Sequence, residues 1–83
     1  MSHTPTLERI SQALEPIFPI ELRFTDYTRP EGSLYHLFVI SRRFEGLPKI
    51  DRHRIVYEYL KPFIGHGIHN INMTLLAPSE SRH

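Results

Sequence analysis

The spacing of hydrophobic positions changes repeatedly along the chain, and each change marks an element. Near the start Leu7, Ile10, Ala13 and Leu14 recur at the three-and-four spacing of one helix face. Thr4 suits the cap of that helix, with Pro5 at its first position and Pro16 as its stop, which predicts a helix over about 5–15. After Pro19 the period falls to two. Ile20, Leu22 and Phe24 alternate with Glu21, Arg23 and Thr25, as in a half-buried strand with one wet face. A loop carrying Pro30 and Gly32 leads to a second strand from Leu34 to Ile40. That strand is apolar on both faces, with Tyr35, Leu37 and Val39 on one and Leu34, His36, Phe38 and Ile40 on the other. Such a pattern suits a central strand.

Helical spacing returns at Pro48. With Arg52 as origin and about 100° per residue, Phe63, Val56, Leu60, His53 and Ile64 fall in an arc from about 20° to 120°. Arg54, Glu58 and Lys61 lie opposite. Pro62 lacks the amide that would bond the Glu58 carbonyl, so a long helix followed by a short helical turn is expected. Gly65 and Gly67 close this segment, and Ile68 to Leu76 reads as a third strand before Pro78 and a polar tail. The order is α-β-β-α-α-β. A right-handed crossover makes the third strand parallel to the second and puts all helices on one face, an α+β fold with a three-stranded mixed sheet. The other face, carrying Leu34, His36, Phe38 and Ile40, is left for solvent or a partner.

Composition narrows the chemistry. The 83 residues predict one domain with an ordered core over about 4–78 and short flexible ends. With no Cys, the chain has no disulfide scaffold, no thiolate-held iron-sulfur cluster of its own and no cysteine nucleophile. Ten basic and nine acidic side chains give a net charge of +1, too little for a strong pull on nucleic acid or membrane. No apolar run approaches the roughly 20 residues of a membrane span, and Met1 to Pro5 does not read as a signal peptide, so a soluble cytoplasmic protein is expected. Neither a nucleophile elbow, nor a phosphate loop, nor a paired set of acids is evident, which argues against an enzyme.

Three segments carry a family resemblance. Arg42-Arg43-Phe44-Glu45-Gly46-Leu47-Pro48, then Asp51-Arg52-His53-Arg54-Ile55-Val56-Tyr57, then Gly67-Ile68-His69 resemble the BolA family signature in order and spacing. The element order is also similar to the family's, which resembles a type II KH domain. The resemblance implies a non-catalytic partner of a monothiol glutaredoxin, monomeric alone and heterodimeric with that partner. Such pairs hold a bridging 2Fe-2S cluster through glutaredoxin cysteine, glutathione and a BolA-side histidine, for iron-sulfur trafficking or iron regulation. The ligand carried over is His69. Many members add a His or Cys from the loop between the first two strands, but Asp26 to Ser33 contains neither. Leu34 stands where a histidine often opens the second strand, and His36 is the nearest substitute. The family's tryptophan near the C-terminus is also missing, since Ala77-Pro78 leads into Ser79-Glu80-Ser81.

Each candidate also has a plainer reading. Neutral imidazole suits iron and binds only when deprotonated, but His69 shares its strand face with Ile71, Met73 and Leu75 and could simply pack. His66 and His69 form an H-x-x-H pair that needs further ligands to hold zinc. His36 is either an exposed strand histidine or a helper that converges with His69. His53, on the apolar arc, is expected in the core, and His3 and His83 need no role. Arg42, Arg43, Arg52 and Arg54 cluster around one turn with Lys49 and are candidates for contact with a partner or with nucleic acid phosphates. Arg52 and Arg54 project about 200° apart, so they form no common clamp, and Arg54 could pair with Glu58 at i, i+4. Because some BolA-like proteins regulate transcription, weak DNA binding is the alternative function. The G-x-x-G clamp of KH domains is absent.

Overall fold

The computed structural model describes residues 6–27, 29–32, 34–65 and 70–81. Its elements are helix α1 (Leu7–Ala13), strands β1 (Glu21–Asp26) and β2 (Tyr35–Ile40), helix α2 (Lys49–Leu60) and strand β3 (Ile71–Leu76), with 3-10 turns at Glu15–Ile17, Arg42–Phe44 and Pro78–Glu80. The cap of α1 is Thr6, whose hydroxyl accepts the Arg9 amide at 3.2 Å; Thr4 and Pro5 lie outside the described residues. The helix ends two residues earlier than its apolar spacing suggests. Pro16 offers no amide to the Gln12 carbonyl, and the Leu14 amide turns to Ile10 and Ser11 as the chain tightens into the 3-10 turn. Beyond Pro62 the expected short helix is a pair of hydrogen-bonded turns, with the Phe63 and Ile64 amides returning to the Leu60 and Lys61 carbonyls.

The sheet has the order β1-β2-β3, antiparallel between β1 and β2 and parallel between β2 and β3. A mixed sheet with its central strand second in sequence is what a hairpin followed by a helical crossover produces. Register pairs Leu22 with Val39 and Phe24 with Leu37, and Leu37 in turn with Met73 and Val39 with Leu75. These residues form the covered face. Tyr35, Leu37 and Val39 meet Ile10, Leu14 and Ile17 from the N-terminal segment, Val56 and Leu60 from α2, and Phe44 from the turn between β2 and α2. Phe24 stacks on Tyr35 with ring centroids 5.2 Å apart. On the open face His36 and Phe38 are half-buried, and Arg23 lies 5.0 Å over the Phe38 ring.

One buried hydroxyl fastens the two ends of the N-terminal half. Ser41 is fully buried; its Oγ donates to the Ile17 carbonyl at 2.5 Å and accepts the Arg43 amide at 3.1 Å. Removing it strands a buried carbonyl and a turn amide. Ser41→Ala is expected to cost about 1–3 kcal/mol, read as a lower urea midpoint with an unchanged slope.

Candidate functional site

β1 ends where β2 and β3 begin, so one end of the sheet gathers the hairpin loop and the entry to β3. The loop is a tight structure. Tyr27 donates its amide to the Leu34 carbonyl at 2.7 Å, and Arg29 and Gly32 exchange backbone bonds of 2.9 and 3.0 Å around Pro30-Glu31. Gly32 has φ of 154°, a conformation that L side chains rarely adopt. Beside it, the Tyr35 amide bonds the Asn70 carbonyl at 3.0 Å, which fixes the chain immediately before β3 to the same end. His69 precedes Asn70 in sequence. His66 and His69 both lie outside the described residues, as do Gly67 and Ile68, and the described strand opens at Ile71.

His36 sits on the open face of β2, opposite Thr25 and Asn72 in register. Its Nε2 is 2.9 Å from the Thr74 hydroxyl, so ligation through that nitrogen would first break this bond. Among the described residues no group of three or more His, Cys, Asp or Glu is placed to hold a metal ion. The chain also brings no thiolate. This donor set does not suit a self-contained cluster, whereas a chain that lends one imidazole to a cluster otherwise held by thiolates needs no more.

Two residues depart from their expected places on α2. His53 is exposed rather than packed, and its Nδ1 is 2.8 Å from the Lys49 carbonyl one turn back. Arg52, expected on a contact surface, is only 4% exposed. Its Nε donates to the Leu47 carbonyl at 2.9 Å, one terminal nitrogen donates to the Leu75 carbonyl at 3.0 Å, and the fork grips the Glu80 carboxylate at 2.5 and 2.9 Å. The buried face of α2 is therefore Arg52, Val56 and Leu60, at i, i+4 and i+8. Its arc runs from about 0° to 80°, and His53 at about 100° falls beyond it. Ile64, at the far edge of the expected arc, lies beyond the helix end at Leu60 and does not report helical phase.

Electrostatics follow this geometry. The hydrogen bond from Arg52, then that from the Ala77 amide, hold the Glu80 carboxyl well below the usual range, at about 2, despite some desolvation. The same Glu80 bond raises the Arg52 guanidinium above its ordinary value against the cost of burial. Glu45 completes the C-terminal fastening by accepting the Ser79 amide at 3.2 Å and hydroxyl at 2.9 Å. Of the basic residues around this turn, Arg42, Arg43, Lys49 and Arg54 remain exposed. Glu58 pairs with Lys61 at 3.3 Å, and no such pair is formed with Arg54. The anchoring roles of Glu45 and Glu80 escaped the sequence reading. One signal was available: Arg52 stands four and eight residues before the buried Val56 and Leu60, a phase that a solvated arginine has no reason to keep.

The fold and the sequence both match known proteins. Residues 22–80 match the model of the BolA-like protein family. The chain belongs to this family. A BolA-like protein of Dictyostelium discoideum is 38% identical over 78 residues, covering 88% of this chain and 68% of its own length. BolA-like protein 1 of Mus musculus is 30% identical over 77 residues, covering 89% of this chain and 56% of its own length. This BolA-like chain thus spans little more than half of the mouse relative. Among solved structures, the BolA domain of SufE1 from Arabidopsis thaliana is 28% identical with a TM-score of 0.75, over 88% of this chain and 92% of that one. BolA1 from Arabidopsis thaliana shares the fold with a TM-score of 0.80 at 24% identity, over 94% and 97% of the two chains. Among the described residues of this BolA-like chain, no helix is long and apolar enough to cross a membrane.

Proposed function

We propose that this BolA-like chain is a non-catalytic partner of a monothiol glutaredoxin and lends one histidine, His69, to a shared 2Fe-2S cluster for iron-sulfur trafficking or iron regulation. The observation that carries the reading is family membership across residues 22–80 in a chain with no cysteine, where the family's late glycine-aliphatic-histidine stands as Gly67-Ile68-His69. The remaining ligands would be the partner's cysteine and glutathione, and the cluster would be cargo held between chains. In this reading the Tyr35 to Asn70 bond fixes the approach to β3, and the hairpin segment beside it has no His or Cys to offer as a second ligand. His36 is held by Thr74 and acts in support of the sheet. The nucleic-acid reading is weakened, because the basic turn gives up Arg52 to an internal pair.

The test is composition of the assembled complex. Reconstitution with a monothiol glutaredoxin, iron, sulfide and glutathione, followed by size exclusion, is expected to yield a heterodimer with two irons per pair. His69→Ala is expected to lower iron in the heterodimer fraction at least fivefold, while His36→Ala leaves it near wild type. Equal iron content in the His69→Ala complex would remove the reading.

A further inference from the structure

The opposite end of the sheet carries a second feature, independent of the cluster reading. Ile17, Phe18, Ile20, Arg42 and Arg43 line an open groove of about 460 Å³ where β1 begins and β2 ends. Two apolar side chains stand out in it: Phe18 is 68% exposed and Ile20 57% exposed. Phe18 also holds a left-handed backbone, φ 49° and ψ 62°, which a bulky L residue adopts only under constraint. The constraint is visible. The Phe18 amide bonds Glu15, the Ile20 amide bonds the Ile40 carbonyl at 2.7 Å, and between them the Ile17 carbonyl is pinned by the buried Ser41 hydroxyl. The fold thus stores strain in order to present an aromatic ring to solvent, an arrangement that clusters at binding sites.

Charge identifies the occupant. Arg43 lies over the Phe18 ring, 5.2 Å from its centroid, and neither Arg42 nor Arg43 has a carboxylate within ion-pair distance among the described residues. Arg23 and Arg52, by contrast, find carboxylate partners inside the chain. Because the whole chain is only +1, this is a local excess of positive charge beside exposed apolar surface rather than a basic protein in general. A stacking nucleobase would compete with Arg43 for the face of the ring that the guanidinium covers. An acidic peptide places carboxylates on the two guanidiniums and an apolar side chain against Phe18 and Ile20 without doing so.

We propose that this groove is a docking site for an acidic segment of a protein partner, one that alternates carboxylates with large apolar side chains. The strands separate it from the Tyr35–Asn70 end by about five residues, roughly 17 Å, so it can be occupied while that end engages another chain. The backbone around it is fastened before binding, which lowers the ordering cost.

The experiment titrates the 15N-labelled chain with acetylated, amidated Glu-Phe-Glu-Leu-Glu and, separately, Lys-Phe-Lys-Leu-Lys and inorganic phosphate. The acidic peptide is expected to shift the amides of Phe18, Ile20, Arg42 and Arg43 with a Kd of about 1 mM or tighter. Arg42→Ala with Arg43→Ala should weaken it at least tenfold. Phe18→Gly should weaken it comparably while the rest of the spectrum stays folded, since glycine takes this backbone without strain. Absence of shifts, equal shifts with the basic peptide, or the same shifts with phosphate alone would each overturn the proposal. So would undiminished binding by Phe18→Gly.

Discussion

Phe44→Ala is expected to bring the chain close to unfolding at room temperature. The side chain is fully buried in the turn after β2, and it belongs to the same core cluster as Leu37 and Val39 of β2 and Val56 and Leu60 of α2. Truncating a buried phenylalanine costs about 3–5 kcal/mol through lost transfer energy and an unfilled cavity. Small domains hold a total of roughly 5–15 kcal/mol, so little would remain. In a domain of this size each kcal/mol moves Tm by about 4–8 °C, and a fall of roughly 12–40 °C is expected by differential scanning calorimetry. A Tm within about 5 °C of wild type would show that the turn packs less tightly than its burial indicates.

The second large effect belongs to Arg52. Arg52→Ala removes a donor from the Leu47 and Leu75 carbonyls and leaves Glu80 without its counter-ion. The Glu80 side chain is 42% exposed, so water takes up much of its loss, and the cost to Arg52→Ala is about 2–4 kcal/mol, mainly from the two carbonyls. Arg52→Lys keeps the charge without the fork and is expected to fall between. A pH signature accompanies the loss. Glu80 titrates at about 2 in the folded chain against an ordinary value of 4.5, so its contribution is complete above pH 4.5 and disappears as pH falls toward 2. Wild-type urea midpoints should decline over that window, and Glu80→Gln and Arg52→Ala should decline less steeply. Because the Arg52 guanidinium sits 6.0 Å over the Phe44 ring, the double variant of Phe44 and Arg52 should cost less than the two single losses added.

These two residues show what was legible in the sequence and what was not. Period and breakers located all three strands and both helices, because alternation in β1 and the two-faced apolar run of β2 report burial directly. The Tyr35-Leu37-Val39 face is the covered one, and the open face holds His36 and Phe38 as expected. Errors arose where a polar side chain is buried by partners remote in sequence. Arg52 reaches Glu80, 28 residues away, and Glu45 reaches Ser79, 34 away, and no local pattern announces such pairs. His53 failed for the opposite reason: a polar ring at the margin of an arc is pushed outward once its own helix offers it the Lys49 carbonyl.

The motifs that carry the family resemblance prove largely to be folding devices. Phe44 fills the core, Glu45 holds Ser79, Gly46 turns at φ 75°, Arg52 binds Glu80 and Val56 is buried. The proposed function therefore rests on Gly67-Ile68-His69, the one motif segment that lies outside the described residues. Residues 26–33 contain neither His nor Cys, so the proposal depends on a single imidazole.

Visible circular dichroism of the reconstituted mixture tests that dependence most directly, since the spectrum reports the asymmetry and ligand set around the cluster. A monothiol glutaredoxin with glutathione, iron and sulfide is measured alone, with the wild-type chain, and with His69→Ala. The account predicts that the wild-type chain converts the glutaredoxin spectrum into a distinct one that is lost as pH falls and the imidazole protonates, and that His69→Ala leaves the glutaredoxin spectrum as it was. A mixed spectrum identical for wild type and His69→Ala would contradict it.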